Sequence, residues 1–310
     1  FGASFAFIGP LKLAHMWFPS SKFGLLAALT QALGMIGAAF GEAPLAYIIE
    51  HVGWRDTLFW ITGYFVILAI LIVVFVRNHP PNYKPKAHKH ITSVKEMFKG
   101  LLLVLKNPQT WYNGLYVGFL YGVLQAFGEL WGVSFLMEKF NISKTDAAGG
   151  TSFIFIGWAV GGPIAGWVSD MMKRRKPLMI LSPIFGLIVM LFILYLPNLT
   201  VSWGYLLMFL LGFSNGGVGI SYALSAEINR NYVSGTSIAF ANMSSILIGA
   251  IFQPFIGWML DLNHSISGIS GQVGYSLQDY DTALIILPVS FVLSLIFAFM
   301  VKETRCKCYE

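Results

Sequence analysis

Charge is scarce in this sequence. Asp, Glu, Lys and Arg make up 11% of its 310 residues, against about 25% in soluble domains, so a water-soluble globule is excluded. Cysteine is nearly absent as well. Cys306 and Cys308 both stand near the end, which excludes a disulfide framework and leaves a reduced tail. His51, His79, His88, His90 and His264 have no ligand spacing to acids or thiols, so no metal, cofactor or enzyme constellation is expected. Phe1 lies inside an apolar run with neither an initiator Met nor a charged leader, and the expectation is a chain lacking its true start.

What the chain does have is apolar length. Hydrophobic residues reach 56%, gathered at 1–18, 23–49, 57–76, 110–136, 147–169, 178–196, 203–226, 236–260 and 282–301, each full run able to cross about 30 Å of hydrocarbon as helix. The reading is an all-α polytopic membrane protein with nine spans. The net charge of +6 sits in loops and sets topology; it does not point to nucleic acid. One side collects Lys22, Arg77, Lys84, Lys86, Lys89, Lys95, Lys99, Lys106, Lys173, Arg174, Arg175, Lys176, Arg230, Lys302, Arg305 and Lys307, and the other holds only Arg55, Lys139 and Lys144. That asymmetry places the tail in the cytoplasm. The long polar stretch marks the boundary between 1–77 and 109–302, with a tail at 303–310. Within this 78–108 segment, Val94, Met97, Phe98, Leu101, Leu102 and Leu105 share one helical face, the pattern of a helix lying in the membrane interface.

The most informative stretch is 161–176. Gly161, Gly162 and Gly166 remove side chains from the last turns of one span, and Asp170 follows before the cations Lys173, Arg174, Arg175 and Lys176. Gly162, Gly166 and Asp170 at intervals of four, with Arg174 and Arg175 beyond, resemble the signature loop of the major facilitator superfamily. Trp17-Phe18-Pro19, Gly53-Trp54-Arg55, Leu130-Trp131-Gly132 and Ser234-Gly235-Thr236 are similar to other parts of that family. The resemblance implies two pseudo-symmetric helical bundles, of which this chain carries helices four to twelve, the first three being absent. It also implies a monomer in the plasma membrane with a small-molecule substrate. Asp170, with Gly166, Arg174 and Arg175, is expected to brace a cytoplasmic gate against the start of helix eleven at 234–236. Sliding the chain by 211 places Gly24 on Gly235, Gln31 on Asn242 and Glu42 on Gln253, as a repeat would.

Carboxylates at membrane depth are costly and usually serve a cavity or a partner. Glu42 and Glu129 are the two that stand out. Burial would raise either pKa and suit it to proton exchange; a structural hydrogen bond for Glu42 and an interfacial position for Glu129 are the plainer alternatives. Tyr121, Gln125 and Glu129 are spaced by four and share a face, beside a smooth stripe of Gly114, Gly118 and Gly122. Gln31, Asn242, Gln253 and Asn215 are candidates either to orient substrate or to join helices. The expected function is proton-coupled symport of a small polar nutrient, an amino acid or organic acid, through alternating access between proton, substrate and lipid-embedded bundles. Organophosphate exchange is the rival within the family, and a non-transporting sensor or truncated remnant the rival outside it.

Overall fold

Most of the chain is α-helix, as a backbone without water to bond must be. The computed structural model describes residues 9–10, 13, 17–18, 23–77, 94–267 and 274–306; most of the span expected at 1–18 lies outside them. Helices α1 (Phe23–Val52) and α2 (Trp54–Phe75) are followed by α3 (Val94–Lys106), then α4 (Pro108–Phe140), α5 (Lys144–Met172), α6 (Lys176–Tyr195), α7 (Val201–Glu227), α8 (Ser234–Ser267) and α9 (Leu277–Met300). Seven of these are long and apolar enough to cross a membrane among the described residues.

The helices start earlier than the apolar runs because their caps are polar. Ser143 accepts from the Asp146 N–H at the start of α5, and Thr200 does the same for Trp203 at the start of α7. The largest departure is α9, expected from 282 and observed from Leu277. Ser276 and Asp279 form a reciprocal capping box there, so a first turn too polar to read as membrane is helical all the same.

Helices α4 to α9 share one core of fully buried side chains, including Tyr116, Leu120, Phe127, Ile154, Met190 and Phe291. Lipid is as apolar as these residues, so close packing and hydrogen bonds hold the bundle together. The tightest seam joins α5 and α7, where Gly157, Gly161, Gly212 and Gly216 interlock. A Cβ added to Gly157 would stand 1.9 Å from the Phe209 carbonyl oxygen, and one on Gly212 would stand 1.8 Å from that of Ile154. The stripe Gly114, Gly118 and Gly122 faces α8 at Phe240, Ser244 and Ile248, with added Cβ atoms 2.8–2.9 Å away. Ser290 and Ser294 of α9 donate to the Phe119 and Tyr116 carbonyls at 2.7 and 3.0 Å.

Helix α1 lies along α5 and the second half of α7. Gln31 and Met35 are partly buried, Ala32 is buried, and Met35 and Ala38 pack on the core; their spacing makes this the inward stripe of α1. Helix α2 is the opposite case, with Thr57 its single buried residue and the highest hydropathy, 2.7, shared only with α9. Helix α3 docks through Gly100 and Val104 on Val233 and Phe240 while Phe98, Leu101 and Leu102 stay exposed, the amphipathic pattern its sequence carries.

Candidate functional site: the α4 π turn and the Arg175 clasp

Midway along α4 the ladder widens to a π turn over Leu124–Trp131, closed by the Gly132 N–H donating to the Phe127 carbonyl. The extra residue breaks the four-residue register, and such turns recur at functional sites. Tyr121 and Glu129 nevertheless meet, the phenol donating to Glu129 Oε1 at 3.3 Å. Gln125 is turned towards α8, where its side chain lies so close to Gly249 that a Cβ there would stand 2.0 Å from Oε1. Glu129, expected either buried or interfacial, is exposed on the protein and accepts from the Tyr121 hydroxyl.

Around this pair stand residues that spacing alone did not reveal. Trp158 of α5 packs on the Tyr121 ring with centroids 5.3 Å apart. Trp131 Nε1 donates to the Gln253 carbonyl at 3.0 Å, and Gln253 Nε2 donates to the Gln125 carbonyl at 3.2 Å, so Gln253 fastens α8 to the π turn. Tyr222 donates to Asn242 Oδ1 at 3.2 Å and lies 3.4 Å from Ser245 Oγ. The structure therefore brings Tyr121 to both Glu129 and Trp158, and joins Gln125 to Gln253, while Asn242 lies about three turns earlier on the same helix against Tyr222. Gln31 lies on the inward stripe of α1; Glu42 is within α1, its side chain outside the described residues.

Asn215 belongs elsewhere. It is fully buried at the break between the two halves of α7, and its Nδ2 donates to the Leu211 carbonyl at 3.1 Å. That bond satisfies a carbonyl near the break, while Asn215 Oδ1 is buried with no hydrogen-bond partner among the described residues.

At the cytoplasmic end expected from the cation pattern, Asp170 does bind a cation, though not across to helix eleven. Arg175 Nη1 lies 2.5 Å from Asp170 Oδ1, and Arg175 Nη2 lies 2.8 Å from Glu227 Oε1 at the end of α7. Thr304 donates to Glu227 Oε2, and Glu303 accepts from the backbone N–H groups of Arg175 and Lys176, both at 2.9 Å. Gly166 is buried on α5 and Arg174 is exposed. In place of the expected brace between Asp170 and 234–236, Asp170 meets Arg175 among the described residues, and α5 packs chiefly along α1 and α7. Asp170 thus ties ends within one bundle. Glu227 was missed, yet carried a signal: a carboxylate at a helix C-terminus opposes the dipole and needs a cation.

Burial alone would lower the Arg175 pKa, but the Glu227 and Asp170 carboxylates outweigh it and raise it above the usual value. For Glu303, burial would raise the pKa, while the N–H groups of Arg175, Arg305 and Lys176 and the Arg174 charge hold it below its ordinary 4.5. A depressed carboxyl contributes stability above its unfolded pKa and loses it as pH falls through the folded one. Hydrogen exchange at the Arg175, Lys176 and Arg305 amides, corrected for intrinsic rates, should therefore stay slow at neutral pH and quicken below about pH 4.5. Glu303→Gln should remove that pH dependence; an unchanged profile would refute the assignment.

Comparison with known proteins agrees with this architecture. Residues 1–254 match the sequence model described as Major Facilitator Superfamily. A probable galactarate/D-glucarate transporter of Escherichia coli (strain K12) is 20% identical over 87% of this chain and 65% of its own length. A probable hexose phosphate transport protein of Chlamydia pneumoniae is 23% identical over 79% and 59%. This chain therefore spans less than two thirds of those curated relatives. Among solved structures, the E. coli fucose:proton symporter covers 98% of this chain, which covers 73% of it, with a TM-score of 0.69 at 15% identity. A bacterial homologue of the human lysosomal transporter Spinster, inward-facing and unoccupied, gives 0.58 at 17% identity over 91% and 68%. With the family model matched over most of the sequence and the fold shared with two of its solved structures, the chain belongs to the Major Facilitator Superfamily, a family of transporters and not of enzymes.

Proposed function

We infer that this chain serves secondary transport of a small organic acid together with a proton, by alternating access. The observation that carries the reading is the Tyr121–Glu129 pair on the π turn. It is a carboxylate at membrane depth, exposed on the protein and accepting from the Tyr121 hydroxyl, the type of group that takes up and releases a proton. Gln253, Asn242 and Tyr222 supply neutral hydrogen-bonding groups nearby on α8 and α7, suited to hydroxyl and carboxyl groups of a substrate. The named activities of the sugar-acid relative and of the fucose:proton symporter support the same class.

The relatives named for hexose phosphate favour a phosphate substrate instead. Phosphate recognition needs fixed cations, and every Lys or Arg within the described spans lies within a turn of a helix end. The acid-and-amide surface is a poorer match for a dianion than for a protonated or hydroxylated acid.

The test is uptake of labelled sugar acids and dicarboxylates into proteoliposomes holding the full protein, with and without an inward proton gradient. Glu129→Gln, or Glu42→Gln if that residue carries the proton, should cut gradient-driven uptake by about tenfold or more while substrate exchange persists. Uptake indifferent to the gradient and to both substitutions would sink proton coupling. Uptake of hexose phosphate alone would move the substrate to the rival class.

A further inference from the structure

At the membrane face opposite the tail, two cavities meet along one turn. An apolar groove of about 490 Å³ runs between α6 and α7, walled by Phe185, Ile188 and Phe192 on one side and by Trp203 and Leu207 on the other. Beside it lies a polar cavity of about 370 Å³ walled by Lys139, Tyr195 and Asp281. The turn from Leu196 to Leu199 borders both. From Phe185 to Leu196 the groove extends about 16 Å at 1.5 Å per residue, which is half of a ~30 Å hydrocarbon core. An acyl chain in one leaflet has that reach.

The polar cavity holds two opposite charges that act on each other across it without touching. Lys139 Nζ donates to the Ile193 and Leu194 carbonyls at 2.6 and 2.8 Å, so the negative end of α6 fixes the cation in place. Two of its three protons are used, which leaves one for an anion. Asp281 gives its backbone carbonyl to the Tyr195 hydroxyl at 3.3 Å, and its carboxylate Oδ1 is buried with no donor. No ion pair joins Lys139 to Asp281 among the described residues. A buried carboxylate oxygen without a donor is costly, and an ammonium seated against that carboxylate offsets the cost.

We propose that these joined cavities seat a zwitterionic phospholipid with a primary-amine headgroup, of the ethanolamine type. Its chain lies in the α6–α7 groove, its phosphate faces Lys139, and its ammonium donates to Asp281. A choline headgroup has the same charges but no N–H to donate, and a glycerol headgroup lacks the cation, so headgroup chemistry separates this seat from ordinary annular lipid. Lys139 stands about two turns beyond the π turn on α4, and the seat is independent of the transport reading.

The experiment is native mass spectrometry of the full protein in detergent supplemented in turn with phosphatidylethanolamine, phosphatidylcholine, phosphatidylglycerol or free phosphoethanolamine. Phosphatidylethanolamine should be retained at several-fold higher occupancy than the other two lipids, and free phosphoethanolamine should not bind. Asp281→Asn should lower that occupancy at least threefold. Ile188→Trp, which fills the groove from its lipid-exposed side, should do the same without touching either charge, and so answers a folding defect in the first variant. Equal retention of the choline lipid, preference for the glycerol lipid, or wild-type occupancy in both variants would overturn the proposal. Binding of phosphoethanolamine alone would overturn the lipid assignment in favour of a soluble zwitterion.

Discussion

Replacing Arg175 by Gln is expected to lower the unfolding temperature of the detergent-solubilised protein by about 10 °C, from a loss of roughly 3–5 kcal/mol. The guanidinium is buried between Asp170 and Glu227 and also donates to Ser169 Oγ at 3.0 Å. Gln cannot span both carboxylates, so Glu227, itself 8% exposed, is left buried without its cation and against the dipole of its own helix. The loss should shrink when Glu227→Gln is added to the same chain, because the stranded charge is then gone. Melting within one or two degrees of wild type would contradict this account. The network joins α5, α6, α7 and the tail of one bundle, so uptake per folded molecule should fall little. Normal melting with abolished uptake would instead return Arg175 to the gating role its sequence neighbourhood implied.

The clasp around Arg175 shows what was legible in the sequence and what was not. Asp170 and Arg175 were readable because charge at the edge of an apolar run stands out and the glycine spacing around it is regular. Their true partners were not, since Glu227, Glu303 and Thr304 come from ends far away in sequence, and only packing decides which ends meet. The π turn explains the other gap. Spacing by four placed Tyr121, Gln125 and Glu129 on one ideal face; one added residue per turn sends Gln125 to Gly249 while Tyr121 and Glu129 stay together. Helix existence followed from apolar length, and helix ends missed where polar caps such as Ser276 opened a span. Trp158 and Tyr222 read as ordinary apolar bulk, because nothing local tells a ring that packs on another ring or bonds an amide from one that faces lipid.

The glycine seam between α5 and α7 yields the second large effect, and it separates close packing from helix propensity. Gly157→Leu should prevent stable assembly of the bundle, and even Gly157→Ala should cost about 3 kcal/mol, at the upper end for overpacking. Its new Cβ would stand 1.9 Å from the Phe209 carbonyl oxygen and 3.0 Å from the Phe213 nitrogen. Both are backbone atoms, so no rotamer change relieves the contact and α7 itself must move. That movement would open the seam at Gly161 and Gly216, where the Phe213 and Gly161 carbonyls lie 2.5 and 2.8 Å from the corresponding added carbons. Gly149, on the same helix and two turns earlier, has nothing within 4 Å of an added Cβ. Gly149→Ala gains helix propensity of up to about 1 kcal/mol and should melt at or above wild type. Thermal melting of the two alanine variants side by side in one detergent decides the matter. If Gly157→Ala melts as high as Gly149→Ala, the seam yields more easily than its interatomic distances imply, and glycine at 157 has no packing role.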